Sequence, residues 1–184
     1  METFLKVLHT ADGKIIGLQL EKQIESTDQF ITLLHSIEGK AAYLEQHDLM
    51  LVTPIGFSIA SLLSYETNLS KLLDTYPFIR LMLTEDFPNL IDGRRNRLLN
   101  ELCDRYKLWL GNLGSGVRTN LIAVMEGGFE GLIFDTAFTE GNQDKAIFPA
   151  VLNEMNKYTN NLIVPGINTG RYRPIRLKHI EQLM

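Results

Sequence analysis

The feature that most constrains this chain is a rhythm. Five short apolar runs, "LMLVT", "FIRLMLT", "LWLGNL", "GLIFD" and "NLIVPGI", each lead into a longer amphipathic stretch. Runs this short and this continuous read as strands covered on both faces, and the amphipathic stretches between them as crossover helices, so the pattern predicts an α/β fold with a parallel sheet. The helical patterns fall at about 57–74, 94–106, 118–126, 144–158 and 174–183, and in the second Leu98, Leu99, Leu102 and Cys103 form the buried stripe. Ahead of the rhythm, "FLKVLH" and "KIIGLQL" flank Asp12-Gly13, a turn pair that suits an antiparallel hairpin. A helix then follows with Phe30, Leu33, Leu34 and Ile37 on one face, behind the capping candidates Ser26, Thr27 and Asp28.

A chain of 184 residues that is 45% hydrophobic fills one core and is short for two, so 1–184 is expected to be one domain. The single cysteine, Cys103, excludes an internal disulfide; it is expected to be plain core, with no basic neighbour to activate it. The sequence contains no apolar run of membrane-spanning length and no leader pattern, which makes the cytoplasm the default expectation. The net charge of −4 divides unevenly: residues 1–92 carry 6 Lys and Arg against 13 Asp and Glu, residues 93–184 carry 12 against 9.

Chemistry in such a fold sits at the carboxyl ends of the strands. The glycine loop in "LWLGNLGSG" lies there, but it is neither of the two common phosphate cradles. Val117 and Arg118 follow Gly116 where a P-loop needs Lys and Ser or Thr, and the spacing G-x-x-G-x-G is not the dinucleotide order. Among the strand ends only Glu85, Asp86, Asn112 and Asp135 offer oxygens to a metal, and the histidines at 9, 35, 47 and 179 are expected to be ordinary surface or core residues.

Taken in order, the strand-end motifs resemble those of the bacterial EAL domains, cyclic-di-GMP phosphodiesterases built on a modified (β/α) barrel. "IIGLQLEKQI" resembles the Glu-Ala-Leu signature segment, "VTP" the Asn-x-Ser-Pro stretch and "LMLTED" the Glu-x-Thr-Glu strand. "LGNLGSG" resembles Asp-Asp-Phe-Gly-Thr-Gly, "GLIFDTAF" the Lys-Ile-Asp strand and "LIVPGINT" the Ala-Glu-Gly-Val-Glu-Thr strand. Carried over position by position, the resemblance puts the signature glutamate on Gln19, the asparagine on Leu51 and the next glutamate on Met82. The paired aspartates fall on Gly111 and Asn112, the lysine on Ile133 and the later glutamate on Pro165. Thr84, Glu85, Gly114, Ser115, Gly116, Asp135, Phe138, Gly166 and Thr169 survive, chiefly as framework, and the glycine loop becomes a tight turn beside a ligand pair that is gone.

The resemblance therefore implies an EAL-like fold with no catalytic residue, no metal and no cofactor, since apolar side chains cannot replace carboxylates at a divalent ion. It also implies a shortened and incomplete barrel. A full (β/α) barrel takes roughly 250 residues, the segment between Gln19 and Leu51 is short by a helix, or by a helix and a strand, and the closing Gln-Gly motif is missing after Thr169. Within the family, the small stand-alone degenerate EAL proteins of enterobacteria, the anti-FlhDC factors, are most similar. That likeness implies a repressor of flagellar genes, monomeric alone, that binds the FlhD subunit of the master activator FlhDC, keeps it off DNA, and itself touches neither nucleic acid nor membrane.

Two alternatives stand beside this reading. One is a non-catalytic cyclic-di-GMP receptor, against which the phosphate-facing arginine falls on Gln23. The other is a regulator that binds DNA directly through Arg94, Arg95 and Arg97 or through Arg171, Arg173, Arg176 and Lys178; these read more simply as solvated surfaces in a chain of pI about 5.6 with only Tyr172 interleaved. The resemblance leaves the contact residues unknown. The apolar faces beside the shortened parts, Phe30 to Ile37 and 57–76, are the candidates for them.

Overall fold

The computed structural model describes residues 3–10, 13–116, 121–166 and 175–183. An antiparallel hairpin opens the fold, β1 (Phe4–His9) against β2 (Ile15–Leu20), with Leu5 opposite Leu20 and Val7 opposite Leu18. Asp12 lies outside the described residues; Gly13, at φ 85°, takes the left-handed conformation that such a turn asks of glycine. The chain then runs through α1 (Thr27–Glu38), α2 (Ala41–Gln46), β3 (Met50–Pro54), α3 (Phe57–Tyr65), α4 (Thr67–Asp74), β4 (Ile79–Thr84), a 3₁₀ turn (Leu90–Arg95), α5 (Arg97–Arg105), β5 (Leu108–Leu113), α6 (Leu121–Met125), β6 (Phe129–Phe134), α7 (Thr136–Asn142), α8 (Phe148–Met155), β7 (Asn161–Ile163), β8 (Ile175–Arg176) and a second 3₁₀ turn (Leu177–Gln182).

Among the described residues eight strands form one sheet in the order β7-β6-β5-β4-β3-β2-β1-β8, parallel from β2 to β7, with β1 antiparallel to both of its neighbours. The sheet curls into an incomplete barrel. Alternation along the strands divides the apolar residues between two cores. The larger packs the outer face against the helices and includes Leu18, Leu51, Leu81, Leu83, Leu110 and Leu132. The smaller fills the concave side with Leu8, Val52, Met82, Trp109, Ile133 and Ile163, so the barrel interior is a packed layer and not a pore.

The five expected strands form where the apolar runs stand, and α1 carries Phe30, Leu33, Leu34 and Ile37 inward behind a Ser26 side chain that accepts a hydrogen bond from the Gln29 N–H. Other expectations need correction. The stretch 57–74 is two helices, because Glu66, at φ −90° and ψ 105°, is extended and turns the chain between Tyr65 and Thr67. The helix expected over 94–106 begins only at Arg97, capped by Asn96, since Leu90–Arg95 closes as a 3₁₀ turn around Gly93. The pattern over 144–158 gives α8 alone, and α7 precedes it, capped by the Asp135 carboxylate. The C-terminal stretch expected as a helix over 174–183 is an edge strand, pairing Phe4 with Arg176, followed by the 3₁₀ turn that buries Leu177 and Ile180. Between β2 and β3 the shortened segment holds α1 and α2, and the two strands pair directly from Gly17–Met50 to Gln19–Val52, so no strand is intercalated there.

Candidate functional site

The carboxyl ends of the parallel strands gather most of the positions that the family motifs single out. Met82 and Ile133 stand in the inner apolar layer, 2% and 5% exposed, and a Cβ on Gly111 would come 2.6 Å from the Met82 sulfur. Gln19, Asn112, Ile133 and Pro165 line a cleft of about 550 Å³ between β1 on one side and the ends of β6 and β7 on the other. Leu51 is the exception. Its side chain is fully buried in the outer core, and Val52 faces the interior instead, so the position carried over for the asparagine points away from the mouth.

The surviving polar residues brace the loops. Glu85, 3% exposed, accepts hydrogen bonds from the Ser115 N–H at 3.0 Å and the Ser115 hydroxyl at 2.9 Å, which ties the end of β4 to the glycine loop after β5. The Thr84 hydroxyl donates to the Asp86 carboxylate. Asp135 caps α7 by accepting from the Phe138 N–H at 2.8 Å, and Phe138 stacks on Phe134 with ring centroids 5.6 Å apart. Gly114, at φ 90°, has the Phe138 ring where a Cβ would stand, 2.6 Å away, so the loop closes on an aromatic ring. Thr169 lies outside the described residues. Asn112 is exposed and left-handed at φ 57°, the price of turning the strand end into that loop.

What this mouth can do chemically is limited. A two-metal hydrolase needs several oxygen or nitrogen ligands converging on each ion and a base beside the activated water. Glu85 and Asp135 are engaged in holding backbone, and among the described residues no three His, Cys, Asp or Glu side chains converge on one point. Lys6 on β1 and Glu140 on α7 also line the cleft, on elements that carry no strand-end motif, and so does Glu21, which lies within "IIGLQLEKQI" two residues after the carried-over Gln19.

Cys103 also departs from expectation: it does have a basic neighbour, Arg94. Desolvation outweighs that cation and pushes the thiol up to about 11, which disfavours the thiolate. The expected buried stripe also narrows: Leu99 and Leu102 are buried, while Leu98 and Cys103 are half-buried at the edge of the core. Of the candidate contact faces, Phe30, Leu33, Leu34 and Ile37 are each at most 2% exposed and belong to the core, while Phe57 and Tyr65 on α3 are 51% and 70% exposed. Sequence reading missed a second exposed group, Ile91, Leu121, Ile122 and Met125; its signal was available in "LIAVM", a helical turn with no polar side. In the first basic cluster, Arg94 pairs with Asp104 at 2.9 Å and Arg97 with Glu101 at 2.8 Å, where i,i+4 contact also raises the Arg97 pKa. In the second, Arg171 and Arg173 lie outside the described residues.

No family model matches the chain. A putative anti-FlhC(2)FlhD(4) factor YdiV of Escherichia coli K12 is 34% identical over 145 residues, which cover 77% of this chain and 61% of that protein. An anti-FlhC(2)FlhD(4) factor YdiV of Salmonella choleraesuis is 26% identical over 144 residues, covering 76% and 60%. The matched region thus spans about three-fifths of the length of these curated relatives. In three dimensions the crystal structure of the EAL-like domain protein YdiV matches at a TM-score of 0.85 and 21% identity, over 100% of this chain and 95% of that one. An EAL domain protein from Listeria monocytogenes EGD-e matches at 0.63 and 14% identity, over 100% and 91%. The fold is therefore EAL-like, an incomplete barrel with the inward positions of its motif strands occupied by apolar residues.

Proposed function

We propose that this chain, a relative of the YdiV-type EAL-like proteins in sequence and in fold, is a non-enzymatic regulator that binds the FlhD subunit of the flagellar activator FlhDC, prevents its binding to DNA and lowers flagellar gene expression. The observation that carries the reading is the pairing of an EAL-like scaffold with a mouth whose ligand positions hold Gln19, Met82, Gly111, Ile133 and Pro165, in a chain whose named relatives are anti-FlhC(2)FlhD(4) factors. A scaffold that cannot assemble its metals still presents a rigid surface, and contact is the function such a surface can serve. Direct DNA binding has less support, since Arg94 and Arg97 are paired with carboxylates, Arg80 is buried against Glu130, and Arg105 donates to the Leu63 and Ser64 carbonyls.

The test is a pull-down of Escherichia coli FlhDC by the purified chain, followed by a gel shift of FlhDC on a flagellar promoter. We expect capture of FlhDC and loss of the shifted band, with no hydrolysis of cyclic di-GMP in magnesium or manganese. Capture that leaves promoter occupancy intact overturns the mechanism. The cleft between β1 and β7 is the observation that favours a second reading, a cyclic-di-GMP receptor. Calorimetry decides between them: a one-to-one heat of binding in the low-micromolar range, without capture of FlhDC, would replace the regulator by the receptor.

A further inference from the structure

We draw no further inference here: the strongest candidate, the cleft of about 550 Å³ between β1 and the ends of β6 and β7, belongs to the site already described, and its charged lining of Lys6, Glu21 and Glu140 carries both signs and selects no class of ligand.

Discussion

The two ends of the parallel strands handle polarity in opposite ways. At the amino end of the sheet, Arg80, 9% exposed, donates through Nε to the Glu130 carboxylate and through Nη1 to the Pro77 carbonyl at 2.7 Å, while Trp109 Nε1 donates to the same carboxylate oxygen at 2.8 Å. The Glu130 carbonyl in turn accepts from the Thr159 hydroxyl at 2.7 Å and from Asn161 at 3.1 Å. At the carboxyl end, the inward positions are Met82, Gly111 and Ile133, and the polar residues that persist hold loops. Buried charge survives where it is matched within the protein. Where it was to be matched by a metal, a carboxylate without its ion would cost several kcal/mol on the order of a buried unpaired charge, and neutral residues stand there instead.

The largest expected effect comes from breaking the matched end. Glu130→Ala leaves the Arg80 guanidinium with main-chain carbonyls alone and the Trp109 N–H with no acceptor, and should cost about 3 kcal/mol in urea unfolding. Glu85→Ala, at the carboxyl end, removes the acceptor of the Ser115 N–H and hydroxyl and should cost about 1–2 kcal/mol. If Glu85→Ala proves the more damaging, the contrast between the two ends is wrong.

How much of this contrast was legible differs between the ends for a physical reason. The carboxyl end could be read because motif positions recur at strand ends, so Met82, Gly111 and Ile133 could be placed before any coordinates, and they do face the interior. Leu51 could not, because a motif fixes position along a strand but not which face a side chain takes when Leu51 and Val52 are both apolar. The amino end was invisible. Arg80 sits within "FIRLMLT" as a charge inside a run that reads as buried, and its partner Glu130 stands fifty residues on, beside a break in register where Leu108 pairs with Phe129 and Trp109 with Gly131. A bulge and a pair so distant in sequence leave no periodic trace. The break in 57–74 is similar, for Glu66 is a good helix former and only its extended backbone, set by packing, separates α3 from α4.

A second pair of substitutions sharpens the contrast at smaller cost. A Cβ on Gly131 would stand 2.3 Å from the Trp109 ring, which is fully buried and held through its N–H, so Gly131→Ala should destabilise by about 2–3 kcal/mol. A Cβ on Gly111 would stand 2.6 Å from the Met82 sulfur, the end of an unbranched thioether that can turn aside, so Gly111→Ala should cost under about 1 kcal/mol. Equal losses would mean that the carboxyl end is packed as rigidly as the amino end.

Cys103 gives the smallest effect and a different readout. It lies on α5 beside Gly128, whose Cβ would stand 2.7 Å from the sulfur, and burial raises its thiol to about 11 from an ordinary value near 9 despite the Arg94 cation. Because the folded state holds the proton more tightly than the unfolded chain, this thiol's contribution is fully present below about pH 9 and is lost as pH rises through about 11. Stability should therefore slope downward across that alkaline window, and Cys103→Ala should remove this share of the slope without altering behaviour at neutral pH beyond a constant offset. The same burial predicts slow reaction with a thiol reagent at pH 8 in the native state and fast reaction in urea, since the thiolate is the nucleophile. Rapid native labelling would show that the thiol beside Arg94 is ionised, and that a basic residue on this side of the fold activates a nucleophile as well as pairing with carboxylates.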